Sequence, residues 1–243
     1  MVERLKHILV KKMFQMWFSS YWSLLIIFIG LIVAYEVIVL AYQLVCNWRK
    51  ESKEEVLLFN ELGGQCAKEH IKASLKGQVF HCSNKYCTHV HVNRIIDHLN
   101  NAKFSIDLAM YTLGSIEITN ALKNALLRNV AVRIIVSQRR EAFNYLLLDL
   151  MDWGAQVRSQ SSINFMQHRF CVIDEQGRVD RLWYKKNING PKSNSVFMNG
   201  SLNWTDSGTG GNWENVIITT NEQLAKAFQA EFDRMWKVFS TQT

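Results

Sequence analysis

The sequence predicts an α/β layered domain preceded by one N-terminal transmembrane helix. Three observations carry that expectation. Runs rich in β-branched residues alternate with stretches of helical period from about residue 55 to 240. Hydrophobic residues make up 48% of the 243 and charged residues 20%, enough apolar material for a packed core and too much for a disordered chain. No charged side chain occurs between Lys12 and Glu36.

That uncharged run, Met13 to Tyr35, is 23 residues rich in Trp, Leu, Ile and Phe, above the roughly 20 that cross a bilayer as a helix. Trp17, Tyr21 and Trp22 stand where interfacial aromatics lie. The run is too long for a signal-peptide core, and no small-residue cleavage site precedes Glu36, so an uncleaved anchor over residues 1–46 is expected. Basic residues flank it on both sides (Arg4, Lys6, Lys11 and Lys12 before; Arg49, Lys50 and Lys53 after), so charge gives no orientation. Residues 47–91 form a linker and a candidate zinc-binding element. Residues 92–243 form the main domain, with its fold core starting near 55.

The elements follow in order. Val56 to Phe59 is the first strand. Val92 to Asn101 is a helix with Ile95, Ile96 and Leu99 on one face. Phe104 to Met110 alternates as a half-buried strand. Ser115 is a candidate N-cap for a helix to about Arg128, and Val130 to Val136 is a strand rich in β-branched residues. Glu141 to Trp153 is helical, with Gly154 as its stop. Phe170 to Ile173 and Val196 to Met198 are expected as neighbouring strands, and Trp213 to Ile218 as another. Leu224, Phe228, Phe232, Met235 and Phe239 mark one face of a closing amphipathic helix.

The net charge is +7. Residues 1–59 hold seven basic and five acidic side chains, leaving +5 for the remainder. A basic surface suits an anionic partner, RNA or anionic phospholipid, without choosing between them. Five cysteines, an odd count without a regular framework, fit a reducing compartment rather than a disulfide scaffold. Cys66-x3-His70 and Cys82-x4-Cys87 place four soft donors within 22 residues. Zinc wants four such donors in a tetrahedron, with His81, His89 and His91 as possible substitutes and free thiols as the alternative. Cys46 and Cys171 stand apart from them.

Two segments carry the chemistry: Met166-Gln167-His168-Arg169-Phe170-Cys171-Val172-Ile173-Asp174, then Gly200-Ser201-Leu202-Asn203-Trp204-Thr205. They resemble the phospholipase D superfamily signature, His-x-Lys-x-x-x-x-Asp followed by Gly-Ser-x-Asn. Within it they resemble the mitochondrial cardiolipin hydrolase or Zucchini branch, which reads Met-His-His-Lys-Phe at this point. Trp213-Glu214-Asn215-Val216 resembles the downstream Arg-Glu-Asn-Val of that family.

The resemblance implies a mixed sheet flanked by helices and a two-fold homodimer with its site across the interface, since one motif copy supplies one histidine. One histidine attacks phosphorus and the second protonates the leaving oxygen, with no catalytic metal. It also implies a structural zinc on the Cys66, His70, Cys82 and Cys87 set, and an anchor in the outer mitochondrial membrane with the domain facing the cytosol. The associated activities are cardiolipin hydrolysis to phosphatidic acid and single-strand RNA cleavage in PIWI-interacting RNA biogenesis.

The departures from the signature fall on the reactive positions. Gln167 stands where the family has its nucleophilic histidine, and a carboxamide neither attacks phosphorus nor titrates near neutrality. His168 is the next residue along an extended segment and so is expected on the opposite face. Arg169 replaces lysine and still binds phosphate. Asp174 keeps the position of a backbone-fixing carboxylate, and Ser201, Asn203, Glu214 and Asn215 keep the substrate-holding positions. Between Asp174 and Gly200 the family has a short hairpin, whereas here 25 residues intervene. Arg178, Arg181, Trp183, Tyr184, Lys185, Lys186 and Lys192 give that insertion a composition able to grip single-stranded RNA, or a solvated loop of no function. The expected function is a catalytically impaired phosphodiesterase, with a non-catalytic RNA- or anionic-lipid-binding paralogue or dimerisation partner as the alternative.

Overall fold

The computed structural model describes residues 11, 22, 25, 28–43, 45, 52–137, 145–159, 165–184 and 190–241. The chain divides into two units, Met1–Glu51 and Ser52–Thr243. In the first, residues 28–43 form helix α1, whose side chains are exposed apart from a partly covered Val39. Most of the expected span, Met13 to Tyr35, lies outside the described residues, as do Trp17, Tyr21 and Cys46. Among the described residues no helix is long and apolar enough to cross a membrane.

The second unit is built on an eight-stranded mixed sheet. Its strands are β1 (Glu54–Phe59), β2 (Ser105–Met110), β4 (Ala131–Val136), β5 (Gln156–Ser159), β6 (Arg169–Ile173), β7 (Val196–Gly200), β9 (Glu214–Thr219) and β10 (Ser240–Thr241). They lie in the order β1-β9-β7-β6-β2-β4-β5-β10. Parallel pairing is confined to β2-β4-β5, where helices make the crossovers; the flanking pairs are antiparallel. A small parallel ribbon joins β3 (Leu113–Gly114) to β8 (Trp204–Thr205).

The helices are α2 (Ala67–Leu75), α3 (Thr88–Asn100), α4 (Ile116–Leu127), α5 (Tyr145–Asp152), α6 (Gln176–Tyr184), the short α7 (Asp206–Thr209) and α8 (Glu222–Val238). Strand alternation sends side chains to two cores. Ile106, Leu108, Ile134, Cys171 and Met198 meet α3, α4 and α5 on one face. Ala109, Ile135, Phe170, Val172 and Phe197 meet Ala225, Phe232 and Met235 of α8 on the other.

Every residue of β2 is buried, so this strand is covered on both faces rather than half-buried as its alternation suggested. Ser115 stands at the N-cap of α4, but its side chain makes no capping bond. Gly154 ends the α5 turn at φ +99, the left-handed region that glycine enters at least cost. Leu224, expected in the apolar face of α8, is exposed, and Ala225 and Gln229 are buried instead. The residues 141–144 expected at the start of α5 lie outside the described set.

Candidate functional site

The reactive positions cluster where β6 begins. Arg169 Nε donates to Asn203 Oδ1 at 2.9 Å, and its Nη1 donates to the Gln167 carbonyl at 3.2 Å. Its guanidinium sits 5.8 Å from the Tyr111 ring centroid, a neighbour the sequence did not single out. His168 goes the other way, its ring edge-on to Phe170 and its Nε2 3.8 Å from Glu231 on α8. The strand period has separated the retained histidine from the side that carries Arg169. Gln167 is exposed, and continuing the alternation of β6 backward places it on the side of Arg169.

The second motif packs against this point through close backbone approach. A Cβ built on Gly200 would collide with the carbonyl oxygen of Asn215, so only glycine permits this crossing of β7 and β9. The next residue exploits it: Ser201 N donates to that same carbonyl at 3.1 Å. Ser201 Oγ donates to Glu214 and accepts from Asn215 N at 3.1 Å. Ser201, Glu214 and Asn215 thus form one hydrogen-bonded set, and Asn203 forms another with Arg169.

Asp174 belongs to neither set. It ends β6 five residues from Arg169, about 16 Å along an extended strand. Its Oδ1 accepts from Phe104 N and Ser105 N, and its Oδ2 from Lys103 N, all at 2.8 Å. With φ at +51, a conformation aspartate tolerates better than most residues, it fastens the entrance of β2. The sequence placed it among the catalytic motif positions, and its local-backbone role is the one the geometry displays.

The cysteine and histidine pairs meet at the start of the unit. Donor atoms of Cys66, His70, Cys82 and Cys87 all lie within 4.8 Å of one another, and Cys87 Sγ is 3.2 Å from His70 Nε2. Zinc sets its donors roughly 3.3–3.8 Å apart, so the quartet fits after a contraction of about an ångström. Burial pushes the Cys87 thiol up to about 12. Burial opposes the Cys66 thiolate too, but hydrogen bonds from Cys87, Cys82 and Asn84 outweigh it and hold Cys66 below the usual thiol range. Burial, then His89, keeps His70 neutral more readily than a free histidine. His89 stacks near His70 with centroids 4.5 Å apart, outside the four-donor set. A cleft of about 680 Å³ opens beside the quartet, lined among others by Glu61, His70, Glu117 and Asp206. Its carboxylates are poor hosts for phosphate, and Arg169 and Asn203 do not line it.

The insertion holds a group that sequence reading missed. Its helix α6 turns Arg178 and Arg181 toward Asp107 of β2 and Asp233 of α8. Asp107, wholly buried, accepts from Arg133 Nε at 2.7 Å and from Gln229 Nε2 at 2.7 Å. Arg133 also donates to Asp233 at 2.8 Å, and Arg181 donates to Asp233 at 2.6 Å. Arg178 Nε approaches Asp107 to 3.5 Å without hydrogen-bond geometry. Burial and the adjacent Arg133 cation lower its proton affinity, whereas the Asp107 hydrogen bond overcomes burial to raise that of Arg133. Trp183 meets Phe104 edge-on at 5.2 Å. Two of the basic residues expected to grip RNA are therefore ion-paired, and Lys185 and Lys186 lie outside the described residues. A charged residue in the middle of the apolar run Ser105–Met110 was the available signal.

Comparison with known proteins bears on the family and the fold. The family described as "Cardiolipin synthase, PLD-like domain" matches residues 95–236. The chain is 39% identical over 206 residues to the mitochondrial cardiolipin hydrolase of Drosophila melanogaster, covering 80% of this chain and 81% of that protein. Among solved structures, NucT from Helicobacter pylori aligns with a TM-score of 0.56 at 15% identity, over 79% of this chain and 100% of that one. A phospholipase D family member, Nuc, from Salmonella typhimurium aligns with a TM-score of 0.52 at 18% identity, over 79% and 99%. At such identities the structures bear on the fold alone.

Proposed function

Because this chain belongs to the phospholipase D superfamily, in its mitochondrial cardiolipin hydrolase branch, we propose that it is a phosphodiester-binding protein whose capacity for turnover is largely lost. The observation that carries this is that His168, the histidine retained at the head of β6, is turned to Glu231, which by strand period leaves Gln167 on the side of Arg169. Turnover requires a P–N bond to form on an imidazole as the P–O bond breaks, with a second imidazole protonating the departing oxygen. In a symmetric dimer each motif copy supplies one of the two, so glutamine at this position removes both together.

Binding is a separate matter. Of the five N–H groups on Arg169, two are engaged, by Asn203 and the Gln167 carbonyl. Among the described residues the other three have no partner, and they can meet non-bridging phosphate oxygens. The ligand class is the phosphodiester of single-stranded RNA or of an anionic phospholipid.

Two further parts complete the reading. A structural zinc on Cys66, His70, Cys82 and Cys87 cross-links α2 to the start of α3, and no catalytic step passes through it. The uncharged run Met13–Tyr35 anchors the chain, in the outer mitochondrial membrane with the second unit in the cytosol.

The test is hydrolysis of single-stranded RNA, of cardiolipin and of a phosphodiester reporter by the full chain in detergent, beside a Gln167→His, Arg169→Lys double variant. The double variant is expected to be faster by about 10² or more, since a positioned acid–base group contributes on the order of 10²–10⁴. Equal rates would remove the argument from position 167.

A further inference from the structure

Helix α2 contributes His70 to the metal quartet and nothing to the core: none of its residues is buried. Its outer side is organised nonetheless. Ile71 and Leu75 stand one turn apart, 61% and 84% exposed, and Val79, past the Gly77 turn that ends the helix, is 84% exposed as well. Lys68, Lys72 and Lys76 run beside them at the same four-residue spacing, all exposed. His70 occupies the opposite side. An apolar row with a parallel lysine row, backed by a metal cross-link, has no partner within the described residues.

We propose that this face of α2 docks on the headgroup region of an anionic bilayer. Ile71, Leu75 and Val79 enter the acyl boundary and the three lysines meet lipid phosphates, as amphipathic interfacial helices do. The inference rests on reading Met13–Tyr35 as an anchor. Residues 36–53, which separate that run from β1, span at most about 60 Å when extended. A tether this short supplies an effective concentration at which a weak, nine-residue contact suffices. The lysines exclude a neutral apolar partner, and the apolar row would be wasted on RNA, which needs charge and stacking rings.

Hydrogen exchange of residues 67–80 tests the proposal, with the full chain in nanodiscs of neutral phosphatidylcholine or of phosphatidylcholine plus anionic phospholipid. Exchange is expected to slow at least about tenfold on anionic discs only. The slowing should be lost in a Lys68→Gln, Lys72→Gln, Lys76→Gln variant and in Leu75→Asp. Unchanged zinc content in these variants would show that the element still folds. Equal exchange on the two kinds of disc overturns the proposal, as does slowing that survives the lysine substitutions. Slowing by single-stranded RNA without anionic lipid also overturns it and gives the row to RNA. Flotation with neutral discs reports the anchor separately. If flotation fails, anionic vesicles added to the same chain replace the discs, and no slowing there overturns the docking independently of the anchor.

Discussion

Arg169 and Asn203 join the two motif segments across 34 residues of sequence, with Nε donating to Oδ1 at 2.9 Å. The bond fixes the plane of a guanidinium that otherwise swings freely, and it ties the head of β6 to the turn after β7. On the proposed reading, this is the cation that would hold a phosphate in the absence of a nucleophilic histidine.

Removing the cation should therefore weaken binding more than removing its support. Arg169→Ala is expected to lower affinity for a short single-stranded oligonucleotide about tenfold or more, since a charge-assisted hydrogen bond contributes about 1.5–3 kcal/mol. Asn203→Ala should cost less, because it loosens Arg169 without deleting charge. Fluorescence anisotropy at two salt concentrations measures both. Equal, salt-independent losses would count against a phosphate contact.

The purified chain should carry about one zinc per protomer, and Cys87→Ser should abolish it and lower the unfolding temperature. After chelation, alkylation should reach Cys66 before Cys87, because hydrogen bonding favours the Cys66 thiolate while burial holds the Cys87 thiol near 12. Mass spectrometry of alkylated peptides reads the order.

Much of this was legible in the sequence. The opposed faces of Gln167 and His168 follow from strand period, and Gly200 opens the second motif where only a missing side chain lets the Asn215 backbone approach. The ion-pair group was not legible. Asp107 and Arg133 are 26 residues apart and Asp233 lies 126 beyond Asp107, so no local spacing connects them. Composition made the insertion look like a nucleic-acid surface, yet Val179 and Trp183, one turn apart, were the signal for a helix that packs. Leu224 failed in the opposite sense. Helical period assigned it to the core face, but in the first turn of α8 it is Ala225 that is buried and Leu224 stays exposed.

The buried charges should make Asp107 a stability residue. Asp107→Asn leaves Arg133 and Arg178 facing each other with reduced compensation, and should destabilise the second unit by about 3 kcal/mol. Arg181→Ala, which removes a side chain itself about half in solvent, should cost under about 1 kcal/mol. Denaturant midpoints of the full chain in detergent compare them. A reversed ranking would remove the insertion from the core.

Acid sensitivity should follow from His91. It is buried edge-on to Phe59, and its Nδ1 has no hydrogen-bond partner among the described residues. Burial lowers its proton affinity below the ordinary value of about 6.5. The unfolded chain therefore takes up a proton that the folded chain refuses, so stability is full above about pH 6.5 and falls as the pH drops toward 5. His91→Phe should flatten that fall. Parallel pH profiles for the natural chain and the variant would show that His91 is not its source.

The claim at the centre is chemical and can be read on the polypeptide itself. Incubation with a labelled phosphodiester, followed by an alkaline denaturing quench that preserves phosphohistidine, captures any covalent intermediate. No adduct is expected on the natural chain, and a labelled adduct at position 167 is expected in the Gln167→His, Arg169→Lys variant. A covalent adduct on the natural chain would contradict the account.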